Sequence, residues 1–439
     1  MKLILEFILA VLARRIIRKY KPKIIGVTGS VGKTSTRLLI CAVVGKKFRM
    51  RSAEKNYNNA IGFPLAILGI PNYGRSVSGW VRGITHVICK VLLVEAEYPE
   101  LLVLEYGIDR PGDMEYLLSI AEPDIAVMTA IGSTPVHVEF FEDVAALVAE
   151  KAKLLERVPA TGTVVLDQDD QYTPLLRRHV HARITTYGFN QRAQVRIVGC
   201  HPQMVERSTL TIPLPVGMRL KIMYEGNMVF VELRQTVGIP QVVAVAAAVA
   251  VGIVNKLNLI EISDALRGIT PAPGRLRLIE AVNDALVIDD TYNAAPESMH
   301  AALDVLEALG AERKIAVLGD MRELGRFSVS AHRAVGERLP EFVDILVACG
   351  PSAREIADVA MEPSVQRKSS RLSPDAVFCF ANSRDAARYL KSIIRAGDLI
   401  LVKGSQAMRM ERVVQAVMAH PELAATLLVR QEIGWKNRA

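Results

Sequence analysis

The chain has 439 residues, half of them apolar and 23% charged, a balance that suits two or three folded domains and excludes a disordered chain. Its five cysteines, Cys41, Cys89, Cys200, Cys349 and Cys379, are scattered with no CxxC pair, which argues against a disulfide framework or a thiolate zinc site and for a reducing, cytoplasmic compartment. The net charge is +8, yet residues 1–55 hold fourteen Lys/Arg against two Glu, so this end carries +12 and the remainder −4; a basic end suits nucleic acid, acidic lipid or a phosphorylated ligand, or is only a solvated face.

The first predicted element is the segment "MKLILEFILAVLARRIIRKYKPK". Its apolar run from Leu3 to Leu12, interrupted by Glu6, is shorter than the roughly 20 residues that span a bilayer. Arg14, Arg15, Arg18 and Lys19 follow that run instead of preceding it, and no small-residue cleavage site appears, so it is not read as a signal peptide. Residues 1–22 are read as a basic amphipathic helix that packs on its own domain or lies at a membrane surface.

"PKIIGVTG" then reads as a strand entering a glycine turn, and "KTSTRLLICAVVG" as the following helix, ended by Gly45. Strand, glycine loop and helix are the context that a phosphate loop requires, although Val27 stands where the standard spacing has Gly or Ala, and Gly29 adds a glycine three residues before Gly32. In such a loop Lys33 neutralises phosphate charge and the Thr34 hydroxyl reaches Mg2+. A surface turn that happens to hold Gly-Lys-Thr is the plainer alternative.

Apolar runs follow at "LLVLEYG", "DIAVMTAIG", "GTVVLD" and "ARITTYG", separated by helix-like stretches such as "EDVAALVAEKAKLLERV". That alternation predicts a mostly parallel sheet with helices on its faces. From about 193 to 234 four segments, "QVRIVGC", "STLTIPL", "RLKIMYEG" and "NMVFVELR", read as antiparallel strands, and "PQVVAVAAAVAVGIVNKL" as a buried helix. The break at "GITPAPGRLRLIE" places a domain boundary between 270 and 271. A second alternation, from "ALVIDD" through "KIAVLGD" and "DILVACG" to "GDLILVKGS", predicts another α/β domain over 271–439.

"TGSVGKTST" resembles the T-G-x-x-G-K-[ST]-[ST] loop of the Mur ligase superfamily, ATP-dependent amide-forming enzymes that include folylpolyglutamate synthase. "NYNNAIGFPLAILG", "VLEYGIDRPGDMEYL", "TPAPGRLRL", "IDDTYNAAPESMHAAL", "VLGDMRELG" and "LVKGSQAMRMERVV" follow in the family's order over about 22–418. They are most similar to the branch that adds D-alanyl-D-alanine to a muramyl peptide. The resemblance implies an α/β architecture: a central P-loop domain at 23–270, mostly parallel with an antiparallel part, then a Rossmann-like domain at 271–439. It also implies ATP and Mg2+, an acyl phosphate formed at a substrate carboxylate, and a UDP-linked muramyl peptide and D-alanyl-D-alanine as substrates. A monomer is expected. A membrane surface is a second candidate partner through the N-terminal helix. Nucleic acid is not expected, because no aromatic residues interleave the basic ones.

Residue by residue, the resemblance assigns nucleotide binding to Gly29, Ser30, Gly32, Lys33, Thr34 and Ser35, joined from the second domain by Arg275, Asn293 and Asp320. Metal binding falls to Thr34, Glu105 and His137, and substrate binding to Asn56, Asn58, Asn59, Lys403 and Ser405. Lys153 matches the family lysine that can be carbamylated, with Lys151 a close rival. Together with Lys33, Glu105 and His137 it completes the catalytic set. Several positions depart from the family pattern: Ala130 replaces a common Asn, Gln406-Ala407 replaces an Arg-containing pair, and residues 70–100 read as an insertion. The residues ahead of the loop leave no room for the family's UDP-binding domain, which makes Arg14, Arg15, Arg18 and Lys19 candidates for holding a diphosphate. A related ligase with a different carboxylate and amino-acid pair, and a non-catalytic nucleotide-binding partner of wall enzymes, are the competing readings.

Overall fold

The structure, a computed structural model, describes residues 2–53, 57–74, 76–92, 97–132, 141–363, 371–432 and 435. The chain opens with α1 (Lys2–Tyr20) and continues through β1 (Lys23–Thr28), α2 (Lys33–Val44), β2 (Met50–Ser52), α3 (Gly62–Leu68), α4 (Val77–Leu92), β3 (Leu101–Glu105), α5 (Asp113–Ile120), β4 (Ile125–Met128), α6 (Val144–Glu156), β5 (Thr163–Asp167), α7 (Thr173–Leu176) and β6 (Arg183–Gly188). Three longer strands follow, β7 (Val195–Val205), β8 (Leu214–Tyr224) and β9 (Asn227–Arg234), and then α8 (Ile239–Val254) and α9 (Leu259–Leu266). The first sheet has the order β2-β3-β1-β4-β5-β6-β7-β8-β9, parallel as far as β7 and antiparallel beyond it.

Alternation along each parallel strand feeds two cores. Ile25 and Val27 face the core that α2 and α8 close, whereas Ile24 faces the one built by α1, α3, α5 and α6. With both faces covered, a strand such as β3 reads as an unbroken apolar run, "LLVLE". Helix α8 is buried almost throughout, and its alternating Ala and Val let it lie close to α2. Helix α1 buries Leu9, Ala10, Leu12, Ala13 and Ile16 chiefly against α3, also meeting α4 and α5. Of its two expected settings, packing on its own domain is therefore present. The first two turns, however, leave Leu3, Ile4, Phe7 and Ile8 exposed. Among the described residues no helix is long and apolar enough to cross a membrane.

One predicted strand is absent. "STLTIPL" forms a turn and loop before β8, because its polar groups bond elsewhere: Thr209 Oγ1 reaches Asp284 (3.3 Å) and the Thr211 N–H reaches Glu312 (2.7 Å), both beyond residue 270. The insertion-like segment 70–100 contains α4, which among its described side chains buries little beyond Gly79, Gly83 and Val87.

The second sheet is built from β10 (Arg277–Glu280), β11 (Leu286–Asp290), β12 (Arg313–Gly319), β13 (Ile345–Cys349), β14 (Val377–Phe380) and β15 (Asp398–Lys403). Their order is β10-β11-β15-β12-β13-β14, all parallel except β10. Around it pack α10 (Pro296–Ala308), α11 (Ser328–Arg338), α12 (Arg354–Met361), α13 (Ser383–Ile393) and α14 (Glu411–Val417). The α2–α8 core runs without interruption into Leu276, Ile288, Met299 and Leu303 of this second layer. At the seam Gly238 has φ of 102°, and a Cβ there would meet Val305 Cγ2 at 2.5 Å. This apolar seam sets the loops at the ends of β1 and β3 opposite those at the ends of β11, β12 and β15.

Candidate functional site

The loop after β1 is shaped by two glycines. Gly29 has φ of 141° and sits so close to β4's continuation that a Cβ would lie 2.0 Å from Thr129 Oγ1; Gly32, at φ 84°, starts α2. The Ser30 and Val31 N–H groups are already used on Ala130 O, at 2.9 and 3.1 Å. The anion-seeking donors are therefore those of Lys33, Thr34 and Ser35, which the first helical turn leaves without an intrahelical acceptor, at the positive end of the α2 dipole. Ser30 contributes its hydroxyl, which is buried with no hydrogen-bond partner among the described residues.

Two lysine amines meet behind this loop. Lys33 Nζ donates to Gly29 O (2.8 Å) and Ser30 O (3.2 Å), and Lys151 Nζ donates to the same Gly29 O (2.9 Å). Burial lowers the pKa of both, with Glu105 opposing the shift at Lys33; at Lys151, where the shift is large, the charge of Lys33 adds to it. The carboxylate of Glu105, at the end of β3, accepts from Thr34 Oγ1 (3.2 Å) and from Asn58 Nδ2 (3.3 Å) and lies 3.4 Å from the buried Arg37 guanidinium.

Lys33, Thr34, Asn58 and Glu105 open onto a cavity of about 810 Å3 whose far wall belongs to the second sheet's loops. Arg275 lies over the Tyr292 ring, 4.0 Å from its centre, with its Nε buried and unpartnered among the described residues. Asn293, Arg322 and Ser405 complete that wall. Asn293 Oδ1 accepts from the Gln406 N–H (3.2 Å), and Ser405 Oγ accepts from the Arg322 N–H (2.7 Å). An alcohol, a carboxylate, helix-end N–H groups and several cations thus face one space, a combination suited to an oligophosphate and a hard divalent cation.

The predicted residues divide as follows. Ser30, Gly32, Lys33, Thr34, Asn58, Asn59, Glu105, Arg275, Asn293 and Ser405 line the cavity. Gly29 belongs to the loop but not to the cavity lining, Ser35 Oγ accepts from Gln241 Nε2 (3.3 Å), and Asn59 Oδ1 accepts from the Gly62 N–H at the start of α3 (2.9 Å). Three further predicted residues lie off the cavity lining. Lys153 points away from the loop and pairs with Glu150 at 2.7 Å, while Lys151, a little over half a helical turn away, is buried beneath it. Lys403 does not line the cavity; it is buried and spends its charge on Asp290 (2.6 Å) and the Asn293 carbonyl (2.9 Å). Asp320 is also buried behind the wall, where Oδ1 accepts from the Ala353 N–H (2.8 Å).

His137 and Asn56 lie outside the described residues. None of Arg14, Arg15, Arg18 or Lys19 lines the cavity, whereas Asp109, Arg322, Arg409 and Trp435, none of them singled out from the sequence, do. Arg322 and Arg409 fall inside blocks that were recognised as blocks, and Asp109 inside "VLEYGIDRPGDMEYL". Trp435 had no sequence signal, because it reaches the cavity through Arg409, whose NH1 donates to its carbonyl at 2.7 Å.

Comparison with known proteins bears on this arrangement. Residues 84–225 match the Mur ligase middle domain and residues 274–406 the Mur ligase glutamate ligase domain. The chain is 28% identical over 412 residues to the UDP-N-acetylmuramoyl-tripeptide--D-alanyl-D-alanine ligase of Bacillus subtilis, covering 93% of this chain and 79% of that one. Among solved structures it resembles MurF from Acinetobacter baumannii (TM-score 0.73, 24% identity, 92% of this chain and 79% of that one). It also resembles the MurF ligase of Thermotoga maritima in complex with ADP (TM-score 0.72, 24% identity, 94% and 83%). At that identity the two structures speak for the fold.

Proposed function

We infer the activity of this chain from its membership of the Mur ligase superfamily: it is an ATP-dependent peptide ligase, and the reaction that fits it best joins D-alanyl-D-alanine to a UDP-N-acetylmuramoyl-tripeptide. The observation that carries this reading is the shared cavity, in which Lys33, Thr34 and Glu105 of one layer face Arg275 and Asn293 of the other.

In this reading the γ-phosphate is transferred to the tripeptide's terminal carboxylate, and the dipeptide amine then displaces phosphate from the acyl phosphate. Both steps gather negative charge, so the chain's work is positioning and electrostatic stabilisation. The first-turn N–H groups of α2 and Lys33 hold the phosphates, Arg275 approaches them from the opposite wall, and the Tyr292 face beneath it keeps that guanidinium extended. Asn293 and the loop after β15 border the nucleoside end. The oxygen pair of Thr34 and Glu105 suits Mg2+, which favours one or two protein oxygens with phosphates and water over an all-protein cage. The metal, when bound, neutralises charge on the transferring phosphoryl group. Ser30, with its hydroxyl buried and unpartnered, is a further donor for a phosphate oxygen.

The direct test is phosphate release from ATP with the UDP-linked tripeptide, with and without D-alanyl-D-alanine. Release should require both and should match the amide formed. Equal release without the dipeptide, or with an unrelated amino acid in its place, would point to a ligase for another pair; absence of any release would leave only nucleotide binding.

We also propose that Lys151, not Lys153, is the lysine the chemistry needs. In Lys151→Ala the Gly29 carbonyl depends on Lys33 alone, which ties that amine to the loop. Phosphate release should fall roughly 100-fold, whereas Lys153→Ala, which removes one partner of a buried Glu150 carboxylate that still accepts from the Gly112 and Met114 N–H groups, should alter it less than about 3-fold. Equal losses in the two variants would overturn the assignment.

A further inference from the structure

Helices α1 and α4 carry an outer surface that lies apart from the cavity lining. On α1, Leu3, Ile4, Phe7 and Ile8 are exposed, Leu3 at 80% and Phe7 at 66%. Farther along the same helix, Arg15 and Arg18 fall on the side that Ile4 and Ile8 begin, since these four residues recur at spacings of four, seven and three. The outer side of α1 is therefore apolar for two turns and cationic for the next two. On α4, Val77, Val81 and Ile88 are exposed on one stripe, beside the exposed Arg82 and His86. The two helices touch, and they are tied at their C-terminal ends, where Lys19 Nζ (3.1 Å) and Tyr20 OH (2.9 Å) both donate to Lys90 O.

Charge decides what such a surface accepts. The two helices contain seven Lys/Arg and one acidic residue, Glu6. A second copy of the chain docking through the same face would bring two strongly cationic surfaces together, which opposes a symmetric dimer. An anionic bilayer is complementary to both parts at once: bulky apolar side chains enter the headgroup–acyl boundary, and arginine and lysine stay at the phosphates. We propose that α1 and α4 form a docking face that holds this protein reversibly on an anionic membrane surface, with the first two turns of α1 inserted and Arg15 and Arg18 at headgroup level. The helices do not span the bilayer; they lie on it.

The experiment is co-sedimentation of the full chain with vesicles of phosphatidylcholine alone or of phosphatidylcholine mixed with phosphatidylglycerol. Binding to the mixed vesicles should exceed binding to the neutral ones at least ~10-fold and should weaken as salt is raised. Ile4→Ser with Phe7→Ser should lower binding to the mixed vesicles roughly 10-fold or more, and Arg15→Glu with Arg18→Glu should remove the preference for anionic lipid. Val77→Ser with Val81→Ser should give an intermediate loss. All six positions are exposed, so each variant should keep the thermal transition of the unaltered chain, which shows that it is folded. No binding to either vesicle, equal binding to both, or a concentration-dependent dimer that the Ile4/Phe7 variant abolishes would each overturn the proposal.

Discussion

Lys33→Ala should reduce phosphate release by at least ~1000-fold while the thermal transition stays near that of the unaltered chain. The lysine is buried at the bottom of the cavity, and its amine is held by two carbonyls of its own loop instead of by an acid. In the proposed reaction, removing it deletes the amine that turns from those carbonyls to the phosphoryl oxygens as they become more negative, so the loss belongs to the transition state more than to nucleotide binding. Stability should change little, because the Gly29 carbonyl keeps Lys151 as a donor and no buried charge is left unpaired. Steady-state phosphate release and a calorimetric scan on the same preparation measure both halves. A variant that turns over at near-normal rate would remove this loop from the mechanism.

Glu105→Ala should have the second large effect, on activity and stability together. Its carboxylate gathers Thr34, Asn58 and the guanidinium of Arg37, and both members of the Glu105–Arg37 pair are nearly inaccessible. Deleting one partner of a buried ion pair costs roughly 3 to 5 kcal/mol, because the other charge remains desolvated. Arg37 keeps its bonds to Ser52 Oγ and Ala53 O, which places the expected loss near the lower end, at about 3 kcal/mol. Glu105→Gln separates the two roles. It retains shape and a carbonyl acceptor, so denaturant unfolding should show a smaller loss than Ala. The concentration of Mg2+ needed for half-maximal phosphate release should rise at least ~10-fold in either variant, since a neutral amide is a weak Mg2+ ligand. An unchanged Mg2+ requirement in Glu105→Gln would exclude this carboxylate as the metal's protein ligand.

What could be read in advance follows the range of the interactions involved. The turn at Gly29–Thr34 is local, and its strand–loop–helix setting fixed its conformation before any partner was known. The parallel strands were legible because double-sided burial turns them into apolar runs, as in "LLVLE". The choice between Lys153 and its rival Lys151 had a further signal: Leu147, Lys151, Leu154 and Leu155 recur at helical spacing on the buried side of α6, while Lys153 falls off that stripe. The burial of Lys403 and Asp320 was hidden for a different reason. Lys403 sits directly opposite Asp290 in the β11–β15 register, and Asp320 sits where β12 ends beside Gly350; register between distant strands is not written in either segment alone. "STLTIPL" alternates like a strand, but its threonine and backbone groups are satisfied by acids more than seventy residues away. The cavity itself, made where two sheets meet across an apolar seam, belongs to no single stretch of the chain.

The carbonyl of Gly29 has two lysine donors where one would satisfy it. This redundancy bears on the energetics of the proposed reaction, in which an anion fills and leaves the seat. When Lys33 turns toward an anion, the acceptor it leaves is still occupied by Lys151, so no orphaned buried oxygen opposes the exchange, and when the anion departs Lys33 has a ready place to return to. The loop can pass between its loaded and resting conditions with little reorganisation of the surrounding backbone. Such a site keeps its barrier to resetting low without relaxing the geometry that stabilises charge.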